Sequence, residues 1–284
     1  MKLLRYGPPG REKPGLLDAE GRVRDLSGKV EDIAGEVLSP AGLAKLAALD
    51  PAGLPQVKGS PRIGPCVGNV PKLVCVGLNY ADHAAETGAK SPPEPILFQK
   101  ATTCITGPND DVMMPRGSKK TDWEVELGVI IGTTARYVPE EKSLDYVAGY
   151  CVFNDVSERE YQLKKGGSQW SKGKGCDTFG PIGPWLVTTD EIRDPQNLDM
   201  WLKVNGARRQ TGNTRTMIFG VAALVSDLSK CMTLLPGDVI TTGTPPGVGM
   251  GMKPEPQYLK PGDVVTLGIK GLGEQRQEVI AFRK

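Results

Sequence analysis

Two glutamates stand two residues apart, Glu124 and Glu126, in the stretch TDWEVELGVIIG. Residues at that spacing share a face of a β-strand and lie about 7 Å apart at Cα, so both carboxylates can reach one ion. Without an ion, two buried neighbours repel and one must take up a proton. A third carboxylate, Asp155, follows the apolar run Tyr150-Cys151-Val152-Phe153-Asn154, where a strand can deliver a side chain to the mouth of a cleft. All-oxygen ligation of this kind suits a hard divalent cation: Mg2+ first, with Mn2+ or Ca2+ also accommodated. The plainer alternative is an edge strand whose glutamates face water, with Asp155 as the N-cap of a helix over residues 157–163.

His83 and Glu86 form a second group. Three apart on a helix, they share a face. Glu86 accepts from one ring nitrogen and the other then serves as a general base. His83 is the single histidine of the chain, which removes any zinc site with two or three histidine ligands from one chain. The alternative is a histidine that merely packs beside a surface helix. Lys174, in Gly173-Lys174-Gly175, offers an ammonium to a developing oxyanion, and Gln169 offers a hydrogen bond nearby. Equally, Lys174 is one of several solvated lysines with Lys164, Lys165 and Lys172. The loop TTGTPPGVGMG has no G-x-G-x-x-G frame and leads into Lys253-Pro254-Glu255-Pro256 rather than a helix, so it is not a dinucleotide fingerprint. Its Gly243 and Thr244 can hold a substrate carboxylate through backbone amides and the hydroxyl, or the loop is purely structural.

Several elements must position these groups. A strand over 124–131 puts Trp123, Val125, Leu127 and Val129 on a core face, with Glu124, Glu126, Gly128 and Ile130 on the other. Further strands are expected at 73–77, 146–154, 184–187 and 200–204. A short helix over 79–86 would be capped by Asn79 and stopped by Gly88; were it a lid, Gly77 and Gly88 would be its hinges. The stretch 214–232 contains the best amphipathic helix, with Ile218, Val221, Ala222, Val225, Leu228 and Met232 near one face. Leu235-Pro236-Gly237-Asp238 and Lys260-Pro261-Gly262-Asp263 are matching turns, each feeding a strand. Shared turn chemistry explains the match better than a repeat, and allows the two strands to be neighbours. Before residue 70 the chain differs: a hairpin (15–17 with 22–26), a helix over 40–48 with Ser39 as N-cap, then a linker punctuated by Pro51, Pro55, Pro61 and Pro65. We expect a small N-terminal domain over 1–70 and a catalytic domain over 71–284. The fold class is α+β, mainly β; the regular strand–helix alternation of a doubly wound sheet is missing.

The 284 residues are 39% hydrophobic and 24% charged, enough for a core. A net charge of +2 gives no footprint for nucleic acid. MKLLRYGPPG is no signal peptide and no apolar run matches a bilayer, so a cytoplasmic protein without membrane contact is expected. None of the six cysteines forms a C-x-x-C pair, and most are expected to be small buried residues.

In order along the chain come His83-Ala84-Ala85-Glu86, Trp123-Glu124-Val125-Glu126-Leu127, Asn154-Asp155, Gly173-Lys174-Gly175-Cys176-Asp177-Thr178-Phe179-Gly180-Pro181 and Thr242-Gly243-Thr244-Pro245-Pro246-Gly247-Val248-Gly249. From about residue 70 onward this ordered set resembles the fumarylacetoacetate hydrolase family. The resemblance implies a mixed β-sandwich roll, a homodimer, and an Mg2+ or Mn2+ site ligated by Glu124, Glu126 and Asp155. It also implies a small variable N-terminal domain. Two features depart from the pattern or fall outside it: Ala101 follows Lys100 where members often carry proline, and 253–256 is a variable segment. Members hydrolyse carbon–carbon bonds of diketo acids, decarboxylate oxaloacetate-like acids or isomerise unsaturated 2-oxo diacids. The expected activity is hydrolysis of the C3–C4 bond of a 2,4-diketo acid, such as a 2,4-diketo-3-deoxy sugar acid, to pyruvate and a carboxylic acid. The ion would act as a Lewis acid toward the pyruvate enolate, His83 and Glu86 would activate water, and Lys174 would stabilise the oxyanion at C4. The alternatives are a 2-oxo diacid decarboxylase or isomerase, a ureidoglycolate lyase-like activity, or a non-catalytic protein that binds a metal or small acid.

Overall fold

Val125, Leu127, Val129 and Ile131 alternate with Glu126, Gly128 and Ile130 along one strand, Val125–Ile131, and both of its faces are buried. The computed structural model describes residues 1–87, 90–167 and 169–284, with the backbone alone at Ala84, Ala85 and Thr87. The strand is central, not an edge. It pairs antiparallel with Val147–Asn154 on one side and Val239–Thr241 on the other. Beyond Val239–Thr241 come Leu73–Gly77, in parallel register, and then Ile96–Lys100. Beyond Val147–Asn154 come Gly180–Thr188, Lys2–Tyr6, Lys13–Leu17 and Val23–Asp25, so the first residues of the chain extend the same ten-stranded sheet. A five-stranded sheet runs in the order Ala207–Asn213, Asp199–Val204, Val264–Ile269, Gly273–Ile280, Val112–Met113. The fold is α+β and mainly β, as the strand-rich sequence pattern predicts.

Two cores follow from the alternation. Val125, Leu127, Val129 and Ile131 join Leu202, Val265 and Leu267 of the smaller sheet and Leu224 and Leu228 of the helix Val221–Cys231. Ile130 faces the other way, into a core with Leu3, Phe98, Cys151, Phe153 and Phe179. Each such buried side chain contributes about 1.5–3 kcal/mol relative to exposure. Glu126 therefore lies on a packed face, and only a local opening in that packing can hold its charge.

The hairpin and the Pro40–Ala47 helix form as expected; Ser39 Oγ accepts from Gly42 N at 3.1 Å. The stretch 214–232 contains the amphipathic helix, Val221–Cys231, but Ile218 lies outside it. Asn213 caps a separate 3-10 turn at Thr214–Thr216, and Ile218 N and Phe219 N donate to Asn79 O (2.7 Å) and Oδ1 (2.9 Å), so the helix begins only at Val221. Asn79 is correspondingly not the cap of the next helix, which runs Ala81–Thr87: its Nδ2 donates to Phe219 O and Thr242 O. The expected stop and hinge at Gly88 lies outside the described residues. The two Pro-Gly-Asp turns are built alike: Leu235 N donates to Asp238 and Lys260 N to Asp263, each at 2.7 Å, with φ of 92° at Gly237 and Gly262. Their strands, however, lie in different sheets and are not neighbours. No described helix is long and apolar enough to cross a membrane.

Candidate active site

Glu124 precedes the central strand by one residue, and Asp155 follows the neighbouring strand by one. Because these strands are antiparallel, with Val125 opposite Asn154, the two acids emerge at the same end. Asp155 N donates to Glu124 O at 2.9 Å and fastens the pair. Glu126 enters the same space from within the strand. Carboxylate oxygens of Glu124, Glu126 and Asp155 all lie within 4.8 Å of one another, and the three residues are 6%, 1% and 0% exposed. Water-facing glutamates are thereby excluded. Asp155 is not a helix cap either; Glu158 caps the Arg159–Leu163 helix by accepting from Tyr161 N.

Three buried cations surround the trio. Lys174 Nζ bridges Glu124 Oε2 at 2.8 Å and Asp155 Oδ2 at 2.7 Å. Arg159 contacts Glu124 Oε1 at 2.7 Å through Nη2 and donates to Asp122 Oδ2 at 2.8 Å through Nε. Lys100 pairs with Asp155 Oδ1 and donates to Val156 O. Glu126 accepts from Gly243 N at 2.9 Å and, among the described residues, forms no ion pair. This asymmetry separates the glutamates electrostatically. Burial works to raise the Glu124 carboxyl, but Lys174 and Arg159 overcome it and hold the pKa down at about 2. Burial, then the charges of Asp155 and Glu124, push Glu126 well above the usual carboxylate range. Burial would lower the Lys174 ammonium, but Asp155 and Glu124 raise it instead.

The charges do not balance. Four buried acids (Asp122, Glu124, Glu126, Asp155) face three buried cations (Lys100, Arg159, Lys174). The excess negative charge falls on Glu126. A divalent cation among Glu124, Glu126 and Asp155 would neutralise it and leave one positive charge for an anionic substrate, so these residues fit a hard cation.

The remaining groups assemble around this floor. Lys174 ends the short Ser171–Lys174 helix, its Nζ 5.2 Å from the Phe98 ring centroid. The flanking glycines are closely packed: a Cβ at Gly173 would overlap the backbone of Gln162 and Glu158, and one at Gly175 would press on Ala101 N at 3.1 Å. His83 Nδ1 lies 3.1 Å from Glu86 Oε2, and Glu86 also accepts from Gly247 N, tying the Ala81–Thr87 helix to the glycine loop. Thr244 lines the cavity, but its hydroxyl donates to Val125 O at 2.9 Å and accepts from Gln210 Nε2 at 2.8 Å, so it anchors the start of the glutamate strand. Gln169 is exposed and outside the cavity. Gln162, buried and accepting from Arg159 Nη1 at 2.9 Å, lines it instead.

His83, Glu124, Glu126, Asp155, Lys174, Gly243 and Thr244 thus share one cavity of about 230 Å³. Sequence reasoning missed Lys100, Arg159, Asp122 and Gln162. Lys100 carried a usable signal, since it ends an apolar strand, ILFQK, in the way Asp155 follows one. Asp122 is the TDWE aspartate; it accepts from Gly249 N and Met250 N as well as Arg159, and so links the glutamate strand to the loop that closes the cavity.

The fumarylacetoacetate hydrolase C-terminal profile matches residues 72–280. A Burkholderia multivorans protein named only as a presumed hydrolase is 68% identical over 283 residues, covering all of both chains. The crystal structure of a 2-hydroxyhepta-2,4-diene-1,7-dioate isomerase from Mycobacterium marinum is 31% identical over the whole of both chains, with a TM-score of 0.76. That of a maleylpyruvate hydrolase from Sphingobium sp. SYK-6, in complex with a manganese(II) ion and pyruvate, is 27% identical over the whole of both, with a TM-score of 0.82. On the extent of these matches, and with the ordered motifs converging on one cavity, the chain belongs to the fumarylacetoacetate hydrolase family.

Proposed function

We propose that this protein is a divalent-cation-dependent hydrolase that cleaves the C3–C4 bond of a 2,4-diketo acid to pyruvate and a carboxylic acid. The observation that carries the proposal is the buried trio of Glu124, Glu126 and Asp155 in one cavity with His83 and Lys174. The three carboxylates would hold the ion, whose chemistry is to polarise the keto acid and stabilise enolate charge. Mg2+ as the ion, a homodimer and a small N-terminal domain over 1–70 belong to the same proposal on the strength of the family resemblance, and a cytoplasmic location on the sequence expectation.

The chain supplies the rest. Glu86 fixes the imidazole of His83 through Nδ1, so that the ring takes a proton from water as the oxygen attacks C4. The Lys174 ammonium, held in place by Glu124 and Asp155, favours the negative charge that develops on the C4 oxygen. The C3–C4 bond then breaks, its electron pair passes to C3, and C3 takes the proton to become the methyl group of pyruvate. The water oxygen ends in the other acid. Arg159 and Lys100 hold Glu124 and Asp155 in register throughout.

Turnover in water enriched in oxygen-18 is expected to label the non-pyruvate acid. An isomerase, favoured by the likeness to the Mycobacterium marinum isomerase, or a decarboxylase would need no such water attack, and turnover without label would sink the hydrolase reading. His83→Ala is expected to lower kcat by about 10²–10⁴-fold while leaving cation binding intact, as read by calorimetric titration with Mg2+. Unchanged turnover would remove His83 from the chemistry.

A further inference from the structure

The cavity has two chemically different ends. Its floor is the acid cluster, with Lys174, Arg159 and His83 beside it. Its walls are Leu78, Phe98, Leu163, Trp170 and Met250. Phe98 and Trp170 pack ring to ring, centroids 5.4 Å apart and planes tilted by 58°. Trp170 is seated by Gly77, the last residue of the Leu73–Gly77 strand, where any Cβ would overlap the indole. The aromatic wall is therefore fixed by the sheet and is not an accident of a surface rotamer.

Among the described residues lining the cavity, the cations are Arg159 and Lys174, and both are committed to acids on the floor. A diketo acid whose carboxylate and 2-oxo group sit on that floor must turn its acyl half toward the apolar walls. A second carboxylate against the buried part of these walls would be desolvated, with no uncommitted cation among the described lining residues to pair with it. The cavity is also small: about 230 Å³ must hold ion, water and pyruvyl head, whereas ligand pockets commonly offer about 300–1,000 Å³.

We propose that the acyl half of the substrate is short and uncharged, and that this site selects against diketo acids bearing a second carboxylate. The placement of the pyruvyl head rests on the hydrolase reading above; the chemistry of the walls does not.

The test compares kcat/KM for acetylpyruvate and succinylpyruvate with Mg2+ present. Acetylpyruvate is expected to be preferred by at least about 100-fold. Leu163 is 51% exposed at the end of its helix, so Leu163→Arg adds a guanidinium at the rim without opening the core. That variant is expected to narrow the ratio at least about 10-fold, by pairing with the distal carboxylate. A ratio near one, a reversed ratio, or one that Leu163→Arg leaves untouched overturns the proposal. Should neither acid be turned over, the hydrolase reading falls, and calorimetric titration of the Mg2+-loaded protein decides the inference separately. Binding of acetylpyruvate about 10-fold tighter or more upholds it; equal or tighter binding of succinylpyruvate overturns it.

Discussion

Glu126→Gln is expected to lower turnover and Mg2+ affinity by at least about 100-fold, since even groups standing behind a metal ligand are worth about 10- to 100-fold. The same substitution is expected to leave the metal-free protein at least as stable as the parent. The amide oxygen still accepts from Gly243 N, the bond that seats the carboxylate. What disappears is a carboxyl whose ionised form burial, Asp155 and Glu124 all disfavour. The pH dependence follows from the same shift. The folded pKa of Glu126 lies above its ordinary value of 4.5, so the folded state binds a proton that the unfolded chain has already released. Stability from this group is complete below that ordinary value and is lost as pH rises through the folded pKa. In chelator, the Tm advantage of Glu126→Gln over the parent should therefore grow from about pH 5 toward neutrality. A variant that is less stable than the parent across that range, or one that turns over normally, would show that Glu126 is an ordinary structural carboxylate.

Lys174→Met should be the most damaging substitution for folding. It removes the cation that bridges Glu124 and Asp155 and leaves both carboxylates buried beside Glu126. Breaking such a pair from one side costs about 3–5 kcal/mol. The raised ammonium pKa has the matching sign: the folded value exceeds the unfolded one, so its contribution is fully present at neutral pH and is lost only as pH rises through the folded value. Loss of the positive charge beside C4 is expected to lower kcat by a further factor of about 10²–10³. The metal dependence of stability separates the two roles. With one cation fewer among the acids, Mg2+ should raise the Tm of Lys174→Met more than that of the parent. Equal Tm values for variant and parent without metal would mean that the bridge between Glu124 and Asp155 carries no stability.

The trio was legible in the sequence because strand geometry is local. Alternation placed Trp123, Val125, Leu127 and Val129 in one core, and that left Glu126 on a face closed by Ile130. The compensating cations were not legible. No periodicity connects Lys100 to Asp155 or Arg159 to Asp122: the first two come from strands that are not neighbours in the sheet, and the second two meet because Ser157–Glu158 pairs with Thr121–Asp122. Gln169 drew attention through its closeness to Lys174 in the chain, yet it is exposed and does not line the cavity. Gln162 comes back to the cavity because Gly173 fits against its backbone. The stretch 214–232 does contain its amphipathic helix, yet the start of that helix was not legible for a related reason. Its apolar spacing is genuine, but Asn79, from a distant loop, takes the amides of Ile218 and Phe219 that a continuous helix would have used. Likewise the matching Pro-Gly-Asp turns reported local hydrogen bonding faithfully and said nothing of which sheet each strand would enter.

Anomalous diffraction from crystals soaked in manganese bears most directly on the whole account. A single strong peak enclosed by oxygens of Glu124, Glu126 and Asp155 is the predicted result, with Lys174 and Arg159 retained at its margin. No peak among those oxygens, with Lys174 still bridging Glu124 to Asp155 and Glu126 still held by Gly243, would contradict it.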